Sequence, residues 1–171
     1  RLAGFAGYEG DTLLFRLFLR AEQVRVRYPE GVSTVANAAL NWSGTSERST
    51  LAGTVSIVRT GFNPQSDFSS ILARHAEPVR TPAARTGILG GTHFDVQIET
   101  APDITFESSL AQDVQAEANL RLRGTGANPG MLGRIVITQG RLAFFGTRYN
   151  INQGSISFFN ASRIEPILNV D

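Results

Sequence analysis

Cysteine and lysine are both absent from the 171 residues, and tryptophan and methionine occur once each. Without cysteine there is no disulfide scaffold, no thiolate zinc site and no cysteine nucleophile. The same absence is compatible with an oxidising envelope compartment. Without lysine, all 16 basic residues are arginine. That bias reads as GC-rich coding more readily than as a set of guanidinium forks for phosphate or carboxylate. Charged residues reach only 18%, below the roughly 25% usual in soluble domains. A formal net charge of +1 argues against a dedicated nucleic-acid binder. The longest unbroken apolar run, Leu142-Ala143-Phe144-Phe145, falls far short of the about 20 residues a transmembrane helix needs. No initiator Met and no signal segment are present. The chain opens within its pattern at Arg1 and stops within it at Asp171, so it reads as a single-domain piece of a longer protein.

Catalytic groupings are lacking too. His75 and His93 stand far apart in sequence, with none of the close ligand spacing of a metal site. Asp95 and Glu99 share a strand face as an acid/base pair would, but Gln97 lies between them and the face reads as solvated. Gly124-Thr-Gly126-Ala-Asn-Pro-Gly130 fails as a phosphate loop, because strand-like Arg134-Ile-Val-Ile-Thr follows it where a helix is required. Asn41-Trp42-Ser43 and Asn160-Ala161-Ser162 match a glycosylation sequon that matters only on a eukaryotic secretory route. No nucleophile, base and orienter can be grouped, and neither a metal nor a cofactor is expected. The chain reads as a non-enzyme.

What is present is a period of two. Val24 and Val26 alternate with Arg25 and Arg27. Ala36, Ala38, Leu40 and Trp42 alternate with Asn37, Ala39 and Asn41. Leu51, Val55 and Ile57 share a side with Gly53; Phe94, Val96 and Ile98 alternate with Asp95 and Gln97. Val114 to Leu122 alternates with Gln115 to Arg123. Successive strand side chains point to opposite faces, so each run has one apolar and one polar face. The pattern predicts an all-β, half-buried antiparallel sheet of about ten to twelve short strands. Only Asp67 to Ala73 breaks the period, with Phe68, Ile71 and Leu72 at helical spacing behind an Asp67 N-cap. A mobile loop is expected at about 74–91, around Pro78 and Pro82. Gly140-Arg-Leu-Ala-Phe-Phe-Gly and Gly154-Ser-Ile-Ser-Phe-Phe-Asn align as a repeat. Its spacing suggests a stacking meander, with equivalent residues returning to the same face one hairpin later.

The final stretch carries a recognisable signature. Asn128-Pro-Gly-Met-Leu-Gly133-Arg-Ile-Val-Ile-Thr-Gln-Gly140 is followed by Leu142-Ala-Phe-Phe-Gly146 and Tyr149-Asn-Ile-Asn-Gln-Gly154. Ser155-Ile-Ser-Phe-Phe-Asn160 and Ile164-Glu-Pro166-Ile-Leu close it. The spacing of these glycines and Pro166 against aromatic strands resembles the TamB C-terminal domain, of the translocation and assembly module, within the AsmA-like group. The likeness is strongest over residues 115 to 171; residues 1 to 50 match only as amphipathic strands. It implies a β-taco, a curled antiparallel half-pipe with an apolar concave interior and a polar outside. It also implies a periplasmic protein of a diderm bacterium, anchored in the inner membrane at its N-terminus and reaching the outer membrane. Its implied partner is an Omp85-type outer-membrane barrel, TamA-like, and its implied work is phospholipid transport to the outer membrane. An older reading of the family is assembly of outer-membrane β-proteins such as autotransporters.

The residue pattern leads the same way on its own grounds. Every strand has an apolar face, yet no amphipathic helices exist to cover it, so the sheet must close on itself, fold over, or bind something apolar. The expected lining is Phe15, Leu17, Leu19, Val24, Val26, Leu40, Trp42, Val55, Ile57, Phe94, Val96, Ile98, Leu120, Leu122, Ile135, Ile137, Leu142, Phe144, Ile156 and Phe158. For each, ordinary core packing is the competing account. Phe145 and Phe159 fall on the opposite parity. The expected partner of the lining is a phospholipid acyl chain. Rival readings are a transmembrane β-barrel, a module that accepts client strands at open sheet edges, and a structural solenoid.

Overall fold

The computed structural model describes residues 1–27, 32–62, 89–100, 104–107, 111–144 and 147–170. The expected helix at 67–73 and most of the loop at 74–91 lie outside these residues. Alternation sets the strands: β1 (Leu2–Glu9), β2 (Thr12–Val26), β3 (Val32–Thr45), β4 (Ser49–Phe62), β5 (Thr92–Thr100), β6 (Thr105–Glu107), β7 (Ala111–Gly124), β8 (Pro129–Phe144), β9 (Thr147–Ile151), β10 (Gly154–Asn160) and β11 (Pro166–Val170). All eleven belong to one open, curled sheet ordered β1-β2-β3-β4-β5-β7-β8-β10-β11. β6 continues β5 between β4 and β7, and β9 precedes β10 along the same edge of β8. Among the described residues, β1 and β11 each pair on one side only, so the sheet does not close. No described helix is long and apolar enough to cross a membrane.

The expected antiparallel sheet has one departure. β4 pairs parallel with β5, Ser49 against Thr92 through Ile57 against Thr100, and with β6 at Thr60 and Gly61. Two parallel neighbours need a long return connection. Residues 63–91, which separate β4 from β5, are long enough to be that connection.

Register fixes which residues share a face, because partners across a ladder point the same way. Bulges at Ala21/Val24, Val35/Ala36, Gln112/Gln115 and Gln115/Ala116 each shift the odd-even count by one residue, so the apolar residues on either side of them stay on the same face. At the first of these, Gln23 adopts a positive φ of 50° and its amide N–H donates to Asn37 Oδ1 at 2.8 Å. The buried apolar side chains Phe15, Val96, Val114, Leu120 and Ile151 all fall on one face. That face is the sheltered inside of the curl. Charged side chains occupy the other.

The repeat is built differently from a stacking meander. Leu142 pairs with Tyr149, whereas Ile156 pairs with Ile135. β9 and β10 are two halves of one interrupted strand running back along β8, so the repeat spans a single turn and its copies do not stack as rungs.

Candidate functional site

The inner face is organised in rows that cross the strands. One row runs Leu2, Leu19, Leu40, Gly53, Val96, Leu122 and Met131. The next runs Ala21, Ala38, Val55, Ile98, Leu120, Gly133, Phe158 and Pro166. With strands about 4.8 Å apart, these rows form a continuous apolar stripe roughly 40 Å long. Phe15 and Trp42 meet edge to face, ring centres 5.0 Å apart at 72°. Val24, Val26 and Ile57 extend the surface toward the opposite margin.

Hydroxyls mark both margins of the stripe. On one side Trp42 Nε1 donates to Ser49 Oγ at 3.0 Å, and Ser49 Oγ lies 2.8 Å from Thr92 Oγ1, both residues being buried. On the other, Thr34 Oγ1 and Thr60 Oγ1 are 2.6 Å apart. These polar groups are satisfied by one another, so none is left aimed at a specific ligand group.

Register thus brings the expected lining together: Phe15, Leu17, Leu19, Val24, Val26, Leu40, Trp42, Val55, Ile57, Phe94, Val96, Ile98, Leu120, Leu122, Ile135, Ile137, Ile156 and Phe158 share the inner face. Leu142 and Phe144 hold backbone positions of the same parity, opposite Tyr149 and Thr147. Phe159 lies on the outer face and is 67% exposed; Phe145 is outside the described residues. Burial varies along the stripe. Val96 and Leu120 are buried near its middle and Phe15 is buried on β2 against Trp42, while Leu2, Tyr8, Leu19, Tyr149 and Leu168 are exposed toward its ends. Those end residues were missing from the expected lining, except Leu19. Tyr8 and Tyr149 carried the signal in their parity, but glycine-rich or short strands made it faint.

Also unanticipated were the glycines that let the strands approach. Gly53 and Gly133 have φ of 139° and 119°, and a Cβ on either would strike the backbone carbonyl of the neighbouring strand, at Ala39 and Asn119. Each glycine faces a leucine across the ladder, Leu40 and Leu120. Only a residue without a side chain tolerates both the backbone conformation and the proximity.

The outer face of the second half is polar and charge-matched. Arg121 grips Asp95 with two hydrogen bonds, Nε to Oδ1 at 2.7 Å and Nη2 to Oδ2 at 3.1 Å. Arg123 Nε approaches the same carboxylate at 3.5 Å. The Arg121 hydrogen bond holds the Asp95 carboxyl below its usual range, against a smaller opposing effect of burial. Asp95 is therefore a fixed anion and not a poised acid or base. His93 is exposed on this face, with its backbone bridged to Thr125; His75 is outside the described residues. No group of three or more potential metal ligands occurs among the described residues.

Two findings from known proteins can be set beside this geometry. A search of curated proteins finds no match. The family model described as the TamB C-terminal domain matches residues 3–171. The match extends well beyond the glycine-rich end that suggested it, over the N-terminal strands that continue the same apolar rows. An open curled sheet, one apolar face unbroken from β1 to β11 and a family match across nearly the whole length agree: this chain belongs to the TamB C-terminal domain family, whose role is transport in the bacterial envelope.

Proposed function

We propose that the chain is a non-enzymatic part of a phospholipid conduit between the inner and outer membranes, with acyl chains held against the inner face and headgroups at the rim. The observation that carries this reading is an apolar face that, among the described residues, no second layer covers. The described strands make their substantial contacts with sheet neighbours only, so they do not form a two-layer sandwich. A sixteen-carbon chain left in water costs about 0.8 kcal/mol per methylene, or roughly 12 kcal/mol in all. A continuous apolar stripe offsets most of that, and uniform contacts without polar anchors favour sliding over trapping. Selective pockets instead place a few polar groups to fix orientation. The proposed lining is the set of inner-face residues named above, and the proposed setting is the periplasm, with an Omp85-type barrel as partner.

A second reading is an assembly factor for outer-membrane β-proteins. It is favoured by β1 and β11, each paired on one side only among the described residues, because an open strand edge can accept an incoming strand.

Native mass spectrometry of the purified chain, beside organic extraction, separates the two. The conduit predicts near-stoichiometric phospholipid, reduced at least tenfold by Leu19→Glu together with Phe158→Glu while circular dichroism keeps its β signature. A lipid-free chain that protects edge amides on adding a client strand would favour assembly.

A further inference from the structure

The outer face of the first four strands is unlike the rest of the exterior. It carries Arg16, Arg20, Arg25, Arg27 and Arg59, all exposed, against two carboxylates, Glu9 and Glu22. Arg20 shares a 3.4 Å ion pair with Glu22, both largely solvent-exposed. Among the described residues Arg16, Arg25, Arg27 and Arg59 have no ion-pair partner. In the second half of the chain Arg121, Arg123, Arg141 and Arg163 each sit against a carboxylate, while Arg134 bonds Ser157 and, with Arg148, has no ion-pair partner among the described residues. Unpaired arginine is thus denser on the outer face of the first four strands, although the chain as a whole is nearly neutral.

Apolar side chains are set among these arginines. Phe5 is 55% exposed and pairs directly across from Arg16; Phe18, 51% exposed, lies between Arg16 and Arg20 on the same strand face. Beside Phe18 is a depression of about 490 Å³ whose outer-face lining includes Ala3, Ala39 and Ala52, with Arg20 and Asn41 at its edge. The small alanines leave the space that the aromatic ring borders.

We propose that this outer face docks on an anionic phospholipid bilayer. The argument is charge complementarity joined to exposed apolar area. Arginines near a negatively charged leaflet gain attraction that a neutral surface does not offer. Phe5 and Phe18, projecting among them, suit the headgroup and acyl boundary where aromatic rings and apolar area are buried together. An acidic protein would complement the arginines but would make no general use of two exposed phenyl rings beside an apolar, alanine-lined hollow. The proposal concerns the opposite face from the acyl-binding stripe and goes beyond the conduit reading. One face would hold a lipid in transit, and the other would keep the sheet against a membrane.

The test is vesicle flotation of the full chain with phosphatidylcholine alone and with phosphatidylcholine containing 30% phosphatidylglycerol (roughly the anionic fraction for which the electrostatic attraction is appreciable). Binding is expected only to the anionic vesicles and should weaken as salt rises. Each arginine neutralised should lower affinity about fivefold, so the triple variant Arg16→Gln, Arg20→Gln, Arg25→Gln should lose about a hundredfold. Phe18→Ser should also weaken binding, while Arg121→Gln with Arg123→Gln should leave it unchanged. Equal binding to both vesicles, or an unaffected triple variant, would overturn the proposal. So would an unaffected Phe18→Ser, which would point to an acidic protein as the occupant. Phe158→Glu alone, on the inner face toward the other end of the sheet, should weaken acyl capture but retain flotation; the two readings therefore fail separately.

Discussion

At the scale of single residues, the sheet depends on positions where a side chain cannot exist. Gly53 combines a φ of 139° with a neighbouring carbonyl where a Cβ would sit. Gly53→Ala should therefore cost about 1–3 kcal/mol through backbone strain and displacement of β3. Gly61→Ala, where the same added atom meets open space and φ is not positive, should change the melting temperature little. A thermal melt of both variants tests this; equal destabilisation would mean the curl does not rest on the Gly53 contact. Asp95 offers a second residue-level test. Its carboxyl is held below the ordinary value of about 3.9. A folded pKa below the unfolded one means that the ionised form is favoured in the sheet. Its contribution is present above the unfolded value and is lost as pH falls through the folded one. The group is exposed, so the effect on stability is small and titration by NMR is the better readout. Arg121→Gln should raise the Asp95 midpoint toward its ordinary value, and no movement would remove Arg121 as the cause.

At the scale of elements, alternation was the legible part. The inner face was readable because runs such as Val24 and Val26, Leu40 and Trp42, and Leu120 and Leu122 alternate cleanly within themselves, and the bulges between runs add a residue that brings each run back to the same face. Strand order was not legible, since two-residue periodicity is identical for parallel and antiparallel neighbours. The parallel step from β4 to β5 follows from the length of residues 63–91, a fact about connection and not about pattern. The glycine repeat misled for a related reason. Gly140 lies inside β8 opposite Ile151, where the partner strand breaks, and Gly154 restarts that partner, an arrangement the same spacing describes as well as it describes two stacked hairpins. Gly53 reads only as a gap in the apolar side of its strand and Gly133 only as part of the glycine signature, because close approach of a neighbouring backbone leaves no trace in a single sequence. The outer-face arginines were legible one by one, but their grouping across β2 and β4 required the register.

At the scale of the whole molecule, the decisive matter is whether the apolar inner face meets lipid or only its own side chains. The protein carries its own reporter for this. Trp42 is the single tryptophan in the chain; it is half-buried on the inner face, edge-on to Phe15, in the ladder row with Leu17 and Leu51. Bromine atoms on an acyl chain quench indole emission only at short range. Phospholipid brominated along its tails, added as monomers below the vesicle-forming concentration, should therefore quench Trp42 if acyl chains lie in the stripe. A lipid brominated only at its headgroup should quench much less, since the headgroup stays at the rim. Phe158→Glu, two rows away and toward the other end of the sheet, should reduce the loading without altering emission in the absence of lipid. Lipid that co-purifies but fails to quench would be bound elsewhere on the molecule. Quenching equal for tail and headgroup labels would mean a disordered surface association, because a trough that shelters Phe15, Val96 and Leu120 must order the two ends of a lipid differently.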